Sequence, residues 1–519
     1  MEQGHATEWK PQRQEYLVIL TLTMVSLMAA LDAAILVSAL ETIATKLHGK
    51  AIDTFWVGTS YLLACTVCQP FISALSDIFG RQELLLPSLV LFTIGALICS
   101  LAQNFTVLLI GRSIQGIGGG GIITMVQVIF ADIVPLRQRP KYWSIVLAGW
   151  SIGSLMGPLT GALFAQEATW RWVFYINFPF CGLGFLMIPL FVKLETTKTS
   201  FVERLMRVDW MGGFLFIGGL TTFLIPITWG GIQFPWNSAS TIVPLVLGTI
   251  GVFGSLVWEK YKAKEPFLRK SLFNNVSAIA AYICALCQGL ILFCGLYYVP
   301  FYFISVKFTS TVASGVNFFP VTAFLLPGAA VTSSLITRLG RFRWALWLGW
   351  TFATTGAGLF ILLDVNTRTA VWATSFVVYG LGHGMILSAV NFAIQTIADP
   401  VDAGRAASMY AFVRTLGMSI GVAVGGSVFQ NQLNARLHDL GVSDADHIAR
   451  NAEAYVKVLT GLKRNDPTRV VVVAAYAHGF RGVWIVMTGI SALGLLASVC
   501  VRRHSMDKEL ETEYQLSRR

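Results

Sequence analysis

Charge is what this sequence has least of. Only 13% of its 519 residues are Asp, Glu, Lys or Arg, against about 25% in ordinary soluble domains. The shortage is concentrated in long windows that hold almost no charge, separated by short segments that hold most of it. That pattern excludes a large soluble core. Acidic residues are scarcest of all in the apolar windows, where Asp32 is the only one well inside any span. The polar segments contain no Walker loop, no H-E-x-x-H pair and no nucleophile–base set. ATP-driven pumping and enzymatic chemistry are therefore not expected, and neither a cofactor nor a metal is called for. The eight cysteines all fall within or at the edge of apolar windows. Two C-x-x-C pairs, at 65/68 and 284/287, lack nearby histidines and read as small buried hydrophobes rather than metal ligands.

What is present is apolar length. In lipid every backbone polar group must be satisfied inside the segment, so windows of about 20 apolar residues read as membrane-spanning helices. Fourteen such windows occur: 17–38, 55–75, 84–102, 107–130, 143–165, 172–192, 210–229, 241–258, 278–304, 312–337, 344–363, 371–396, 406–430 and 480–501. The first follows a polar tail and lacks a cleavage site, so it reads as a retained span. Placing the N-terminus in the cytosol puts 24 of the 38 Lys and Arg on the cytosolic side. Short outer loops then hold five: Lys46, Lys50, Arg171, Lys307 and Arg368. Positive charge accumulates on the cytosolic side of membrane proteins, so both termini are expected there. The net charge of +11 follows from this topology. Basic residues spread over eight segments do not point to nucleic acid.

The chain repeats itself. SIGSLMGPLTGAL (151–163) aligns with TLGMSIGVAVGGS (415–427), setting Gly153, Gly157 and Gly161 on Gly417, Gly421 and Gly425 at an offset of 264. LSDIFGRQ (75–82) echoes ITRLGRFR (336–343), with Gly80-Arg81 on Gly340-Arg341 at an offset of 260. Two six-span halves account for twelve windows, and 210–229 with 241–258 remain as a central insert. The expected division is a tail 1–16, a first bundle 17–192, a linker with two extra spans 193–277, a second bundle 278–501 with an outer loop 431–479, and a tail 502–519. Parallel repeats of this kind mark secondary transporters whose substrate site lies between the halves.

Four groups of residues stand out. Asp32, in LDAAILVSAL (31–40), is an intramembrane carboxylate and so a functional candidate, with a helix-packing hydrogen bond as the plain alternative. Asp77 and Arg81, in SALSDIFGRQ (73–82), are opposite charges four apart beside the turn glycine Gly80. Such a pair on the cytosolic face can clamp one conformation as a gate, or serve only as a positive anchor. Arg112, in LLIGRSIQGIGGGG (108–121), needs a carboxylate, a carbonyl or substrate as partner unless it reaches the outer surface. Gly153, Gly157 and Gly161 line one face of the fifth span, with Pro158 removing a backbone donor. Small residues at that spacing let helices pack backbone to backbone, here as a seam that seals one mouth and hinges. Weaker candidates for a cavity are Gln115, Tyr297, His383 and Arg414. The run TWRWVFYINFPF (169–180) reads as an interfacial aromatic belt. Asn104 begins a glycosylation sequon in a short loop.

Together these stretches resemble the major facilitator superfamily, in particular its fourteen-span drug:proton antiporters. The loop motif is met at Asp77, Gly80 and Arg81, with Ser73 and Gln82 departing from it. The fourth-span motif is met at Arg112, Gln115 and Gly116. The antiporter motif of the fifth span is met at Gly153, Gly157, Pro158 and Gly161, with Ala162 in place of its last glycine. The first-span motif is kept at Asp32, Ala39 and Leu40 and departs at Ala34 and Glu41. WGGIQFPWNS (229–238) is similar to fungal toxin and secondary-metabolite efflux pumps. The resemblance implies an all-α membrane protein of two six-helix bundles plus two inserted helices. It implies alternating access, with Asp32 and Arg112 in proton coupling and Asp77, Gly80 and Arg81 at the cytosolic gate.

The expected function is export of a bulky, largely apolar compound across the plasma membrane by a monomer that uses the proton gradient, with lipid, protons and the small molecule as its partners. A vacuolar basic amino-acid or siderophore transporter is the alternative, disfavoured because only Asp32 offers a carboxylate to a cation. A non-transporting nutrient sensor is less well supported, because the C-tail is short.

Overall fold

Among the described residues, fourteen long helices carry the chain back and forth. The computed structural model describes residues 9–49, 51–194, 200–231, 233–508 and 514. Residues 1–8, 50, 195–199, 232, 509–513 and 515–519 lie outside them. The helices are α1 (Arg13–Ile35), α2 (Ala51–Phe79), α3 (Arg81–Leu101), α4 (Phe105–Ile133), α5 (Arg139–Glu167), α6 (Trp172–Phe191), α7 (Trp210–Trp229), α8 (Ala239–Tyr261), α9 (Val276–Ser305), α10 (Thr311–Leu339), α11 (Arg343–Phe360), α12 (Thr369–Ile397), α13 (Ala403–Asp439) and α14 (Pro467–Val499). Thirteen are long and apolar enough to cross a membrane. The remaining one, α11, has 18 residues. It is diluted by Arg343 and several threonines, and packs against α12 and α14. Among the described residues there is no sheet beyond one isolated bridge, Gly230 to Phe234.

Local chemistry sets the ends. Asn104 caps α4, its side-chain oxygen accepting from the Val107 amide at 2.9 Å, and Asn275 caps α9 the same way through Ala278 at 2.7 Å. These bonds satisfy orphan donors of the first turn. The echoed turn glycines both need the glycine-only half of backbone space: Gly80 has φ 115° and Gly340 has φ 61°. α5 runs unbroken through Pro158.

The two halves have the same internal plan. In the first, α1 packs on α5, α4 on α2 and α3, and α6 on α1 and α3. In the second, α9 packs on α13, α12 on α10 and α11, and α14 on α9 and α11. Between the halves α2 meets α13 and α5 meets α10, the arrangement that a two-fold axis between the repeats requires. Asn391 of α12 donates to Gln127 of α4 at 3.3 Å, and these residues are 264 apart, the offset of the repeated glycines.

The insert is lopsided. α7 touches both α2 and α13, with Trp210 on Phe71 and Phe216 on Phe412. α8 packs on α7 through glycine contacts and is otherwise largely exposed. The loop 431–479 is mostly helix: α13 and α14 extend into it, and Ala445–Arg450 and Ala452–Gly461 form a cap between them. Exposed Leu20, Ile94, Leu159 and Phe253 belong to the apolar outer surface that lipid would cover.

Candidate functional site

Two charged constellations and one cavity emerge from this plan. The first lies inside the first half. Asp32 of α1 and Arg112 of α4 come together, Arg112 Nη1 donating to Asp32 Oδ2 at 2.8 Å. The other carboxylate oxygen accepts from Gln115 Nε2 at 2.8 Å and from Asn177 Nδ2 at 2.9 Å. Arg112 also donates to Gln115 Oε1 at 2.8 Å and to the Val57 carbonyl at 3.3 Å. Its guanidinium lies over the Tyr61 ring, 4.3 Å from the centroid. All five side chains are buried. Glycines of α3 and α4 make this possible, because a methyl group at Gly119 of α4 would strike the Tyr61 hydroxyl and one at Gly95 of α3 would strike the backbone at Gln115. Arg112 does not reach for the surface. The cluster pins α1, α2, α4 and α6 to one carboxylate.

Asn177 and Tyr61 were not legible in the sequence. Asn177 sits within the aromatic run, and an uncharged polar residue in a span carries little signal. Asn104, the sequon residue, serves as the α4 cap described above.

The second constellation lies on the face that carries both chain ends, here called the terminal face. Arg81 Nη1 donates to Asp77 Oδ1 at 2.5 Å and to Ser76 Oγ at 2.6 Å, and Arg81 Nε to Asp132 Oδ2 at 2.9 Å. The other Asp77 oxygen accepts from Arg405 Nε of α13 at 2.6 Å, which ties the halves together. Arg405 also donates to Asp402 at 2.8 Å, and Asp402 accepts from Ser271 Oγ at 2.6 Å and from Arg269 at 3.3 Å. Gly80 places Arg81 immediately after the α2 turn. Asp132 lies just past the fourth apolar window and Arg405 just before the thirteenth, so neither charge contrasts with its surroundings in the sequence.

From this network a polar ladder climbs between α2 and α13: Ser73 to Ser408 at 2.7 Å, Gln69 to Thr415 at 3.3 Å, Thr66 to Ser419 at 3.1 Å. On the other flank Arg139, fully enclosed at the start of α5, donates to the Val134 and Ala131 carbonyls and across to Gln395 at 2.9 Å. The halves are closed against each other on the terminal face. The C-tail adds to this closure. Asp507 pairs with Arg137 at 2.6 Å, and Lys508 Nζ donates to the Thr396 and Ala398 carbonyls at 2.7 and 2.8 Å. Burial pulls the Lys508 ammonium below the usual lysine range. Tyr514 donates to the Asp77 carbonyl at 2.6 Å and lies under Arg81.

A central cavity of about 50 Å³ lies between the halves. Ser26, Val126, Gln127, Trp143 and Trp150 wall it from one half, Leu387 and Arg414 from the other. A second space of about 30 Å³ adjoins the terminal-face network, against Asp77, Phe267, Arg269 and Arg405. Its charged walls are already paired, Asp77 with Arg405, Arg269 with Asp402 and Glu265 with Arg207.

Of the four weaker cavity candidates, only Arg414 lines the central cavity. Gln115 belongs to the Asp32 cluster. His383 is enclosed against the Tyr379 ring at 4.4 Å, with neither ring nitrogen partnered among the described residues. Tyr297 points to the cap formed by loop 431–479, its hydroxyl 3.4 Å from Glu453. Neighbouring Tyr298 and Phe301 pack with Phe429 and Phe480 in the interior of the second half. The glycine stripe corrects a further expectation. Gly153, Gly157 and Gly161 face α1 within the first half, not the junction between halves. A methyl group at Gly153 or Gly161 would collide with the carbonyl oxygens of Leu27 or Ile35. Gly417 and Gly421 meet α9 the same way, at Leu286 and Leu290. The stripe is a seam inside each half, because α5 turns a different face to α10.

Residues 22–422 match the Major Facilitator Superfamily. The chain is 42% identical over 510 residues to the MFS transporter L2 of a Phoma species, covering 98% of this chain and 85% of that protein. It is 32% identical over 507 residues to the MFS-type efflux pump LUC4 of a Fusarium species, covering 96% of this chain and 90% of that protein. Its fold superposes on the proton:xylose symporter XylE with a TM-score of 0.54 at 16% identity, covering 93% of this chain and 94% of that one. With fourteen long helices in two like halves around a shared cavity, the chain belongs to the Major Facilitator Superfamily as a multi-pass membrane transporter of a small molecule.

Proposed function

We propose that this transporter exports a bulky, largely apolar small molecule, coupled to inward proton flow, with the terminal face in the cytosol and the plasma membrane as its site. The observation that carries the reading is the buried Asp32 carboxylate held by Arg112, Gln115 and Asn177. Protonating Asp32 cancels the charge that holds Arg112 and loosens α1 from α4 beside the cavity wall at Ser26. Deprotonation restores the clamp. The terminal-face network then opens and closes the cytosolic mouth in alternation with the outer one. The efflux pumps among the similar proteins support the direction of transport. The energy suffices: tenfold accumulation of a neutral compound needs about 1.4 kcal/mol, and a 100 mV potential supplies about 2.3 kcal/mol per charge.

A basic amino-acid or siderophore substrate fits less well. Both Asp32 oxygens are already occupied, and the charged group on the cavity wall is an arginine.

The test is proteoliposome flux under an inside-acid gradient, with a lipophilic cationic dye and a neutral apolar toxin. Movement of either that collapses with a protonophore and in Asp32→Asn is expected. Gradient-driven movement that persists in Asp32→Asn would place the coupling elsewhere. No movement of either compound would refute broad export.

A further inference from the structure

Three arginines enclosed among the helices, Arg112, Arg81 and Arg139, are matched with acceptors, whereas Arg414 is not. Arg112 has Asp32, Gln115 and a carbonyl; Arg81 has two carboxylates and a hydroxyl; Arg139 has two carbonyls and Gln395. Arg414, on α13, takes neither a hydrogen bond nor an ion pair among the described residues, and its Nε is enclosed with no acceptor. A charge at membrane depth costs several kcal/mol unless it is paired, and such residues mark substrate pathways. Arg414 is also the charged residue on the wall of the central cavity. No carboxylate lines that cavity. Its other polar groups are the neutral Gln127 and Ser26, and its broad walls are Trp143 and Trp150.

We propose that Arg414 is the acid-recognising subsite of the central cavity and that the ligand carries a carboxylate or a comparably acidic oxygen on a bulky apolar body. A guanidinium presents a planar fork of donors that a carboxylate fills with two parallel bonds. A neutral ligand would leave Arg414 unsatisfied, and a cation would oppose it. The tryptophans cover the apolar body, and Gln127 and Ser26 take up its neutral polar groups. The inference rests on the export reading only in that this cavity is the transport site; binding there is tested separately from transport.

The purified full-length chain in nanodiscs would be titrated near neutral pH with three probes of one body: 1-pyrenebutyric acid, its methyl ester and 1-pyrenebutylamine. Energy transfer from tryptophan to pyrene reports binding. The acid is expected to bind about tenfold more tightly than the ester, and the amine more weakly than either. Arg414→Gln brings the acid to the level of the ester, and Arg414→Lys retains part of the preference. Equal binding of acid and ester by the unmodified protein would overturn the proposal, whether or not the variants fold. So would an Arg414→Gln protein that keeps the preference. Proton-driven flux of the ester in proteoliposomes separates the two readings. Flux without acid preference sinks the subsite and leaves export standing. Arg414-dependent acid preference without flux leaves the subsite standing and sinks export.

Discussion

Arg405 is where the two halves are most directly tied by charge, so Arg405→Gln has a calculable consequence. The side chain makes two ionic hydrogen bonds, 2.6 Å to Asp77 and 2.8 Å to Asp402. Only the first crosses between halves; the second stays next to its own helix and is kept whichever mouth is open. A hydrogen bond to a charged group contributes about 1.5–3 kcal/mol. Arg405 and Asp77 are 22% and 17% exposed, so solvent screening brings the crossing bond to about 2 kcal/mol. At 1.4 kcal/mol per decade, that is about a 30-fold shift toward the state open on the terminal face. The reporter is Met409→Cys, buried beside the network on α13, in a Cys500→Ser background, since Cys500 is the exposed one of the eight cysteines. Maleimide alkylation of that site, read by peptide mass spectrometry, tracks the open population. The rate should rise by about 30-fold with Arg405→Gln. Arg207→Gln breaks an equally short pair, 2.7 Å to Glu265, but the partners are 39% and 38% exposed. It should change the rate by less than about twofold, as surface pairs do. Equal rates with and without Arg405, or equal effects of the two substitutions, would refute the reasoning.

Three further outcomes are expected. Gly161→Leu drives a side chain into the Ile35 carbonyl and should cost about 3 kcal/mol or more, read as loss of monodisperse protein, whereas Gly315→Ala, with open space beside it, should be neutral to within about 1 kcal/mol. Arg139→Lys should fail to rescue Arg139→Gln in thermal stability, because the acceptors at Val134, Gln395 and Ala131 are met from three separate guanidinium nitrogens, whereas the three donors of an ammonium radiate from one point. Truncation after Val501 removes the contacts of Asp507, Lys508 and Tyr514 and should raise Met409→Cys alkylation by about three- to tenfold; an unchanged rate would make the tail a bystander.

What the sequence revealed depended on contrast. A charge inside an apolar window stands out, so Asp32 and Arg112 were legible, and lipid leaves them little choice but each other. Gln115 came with the fourth-span motif. Asn177 and Tyr61 hold the same carboxylate cluster together, yet neither contrasts with its window. Asp132 escaped because the apolar run stops two residues before it. The glycine stripe announced that some helix comes close, but the periodicity of one helix does not name its neighbour, and α1 was found only in the fold. Tyr298 and Phe301 beside Tyr297 illustrate the opposite failure: rings suited to a cavity wall are equally suited to filling the interior of a bundle, and here they do.

The hydrogen bond between Gln127 and Asn391 has a meaning beyond closure. Residues related by duplication meet each other only where they lie against the symmetry axis. In an ancestor made of two identical copies of one half, the side chain at this position would have faced its own twin. An aspartate there would repel itself and a lysine likewise, whereas a carboxamide both donates and accepts and so complements itself. Both halves still carry a carboxamide at that position, the kind of group that would have let a single six-helix unit pair with a second copy before the two were joined in one chain.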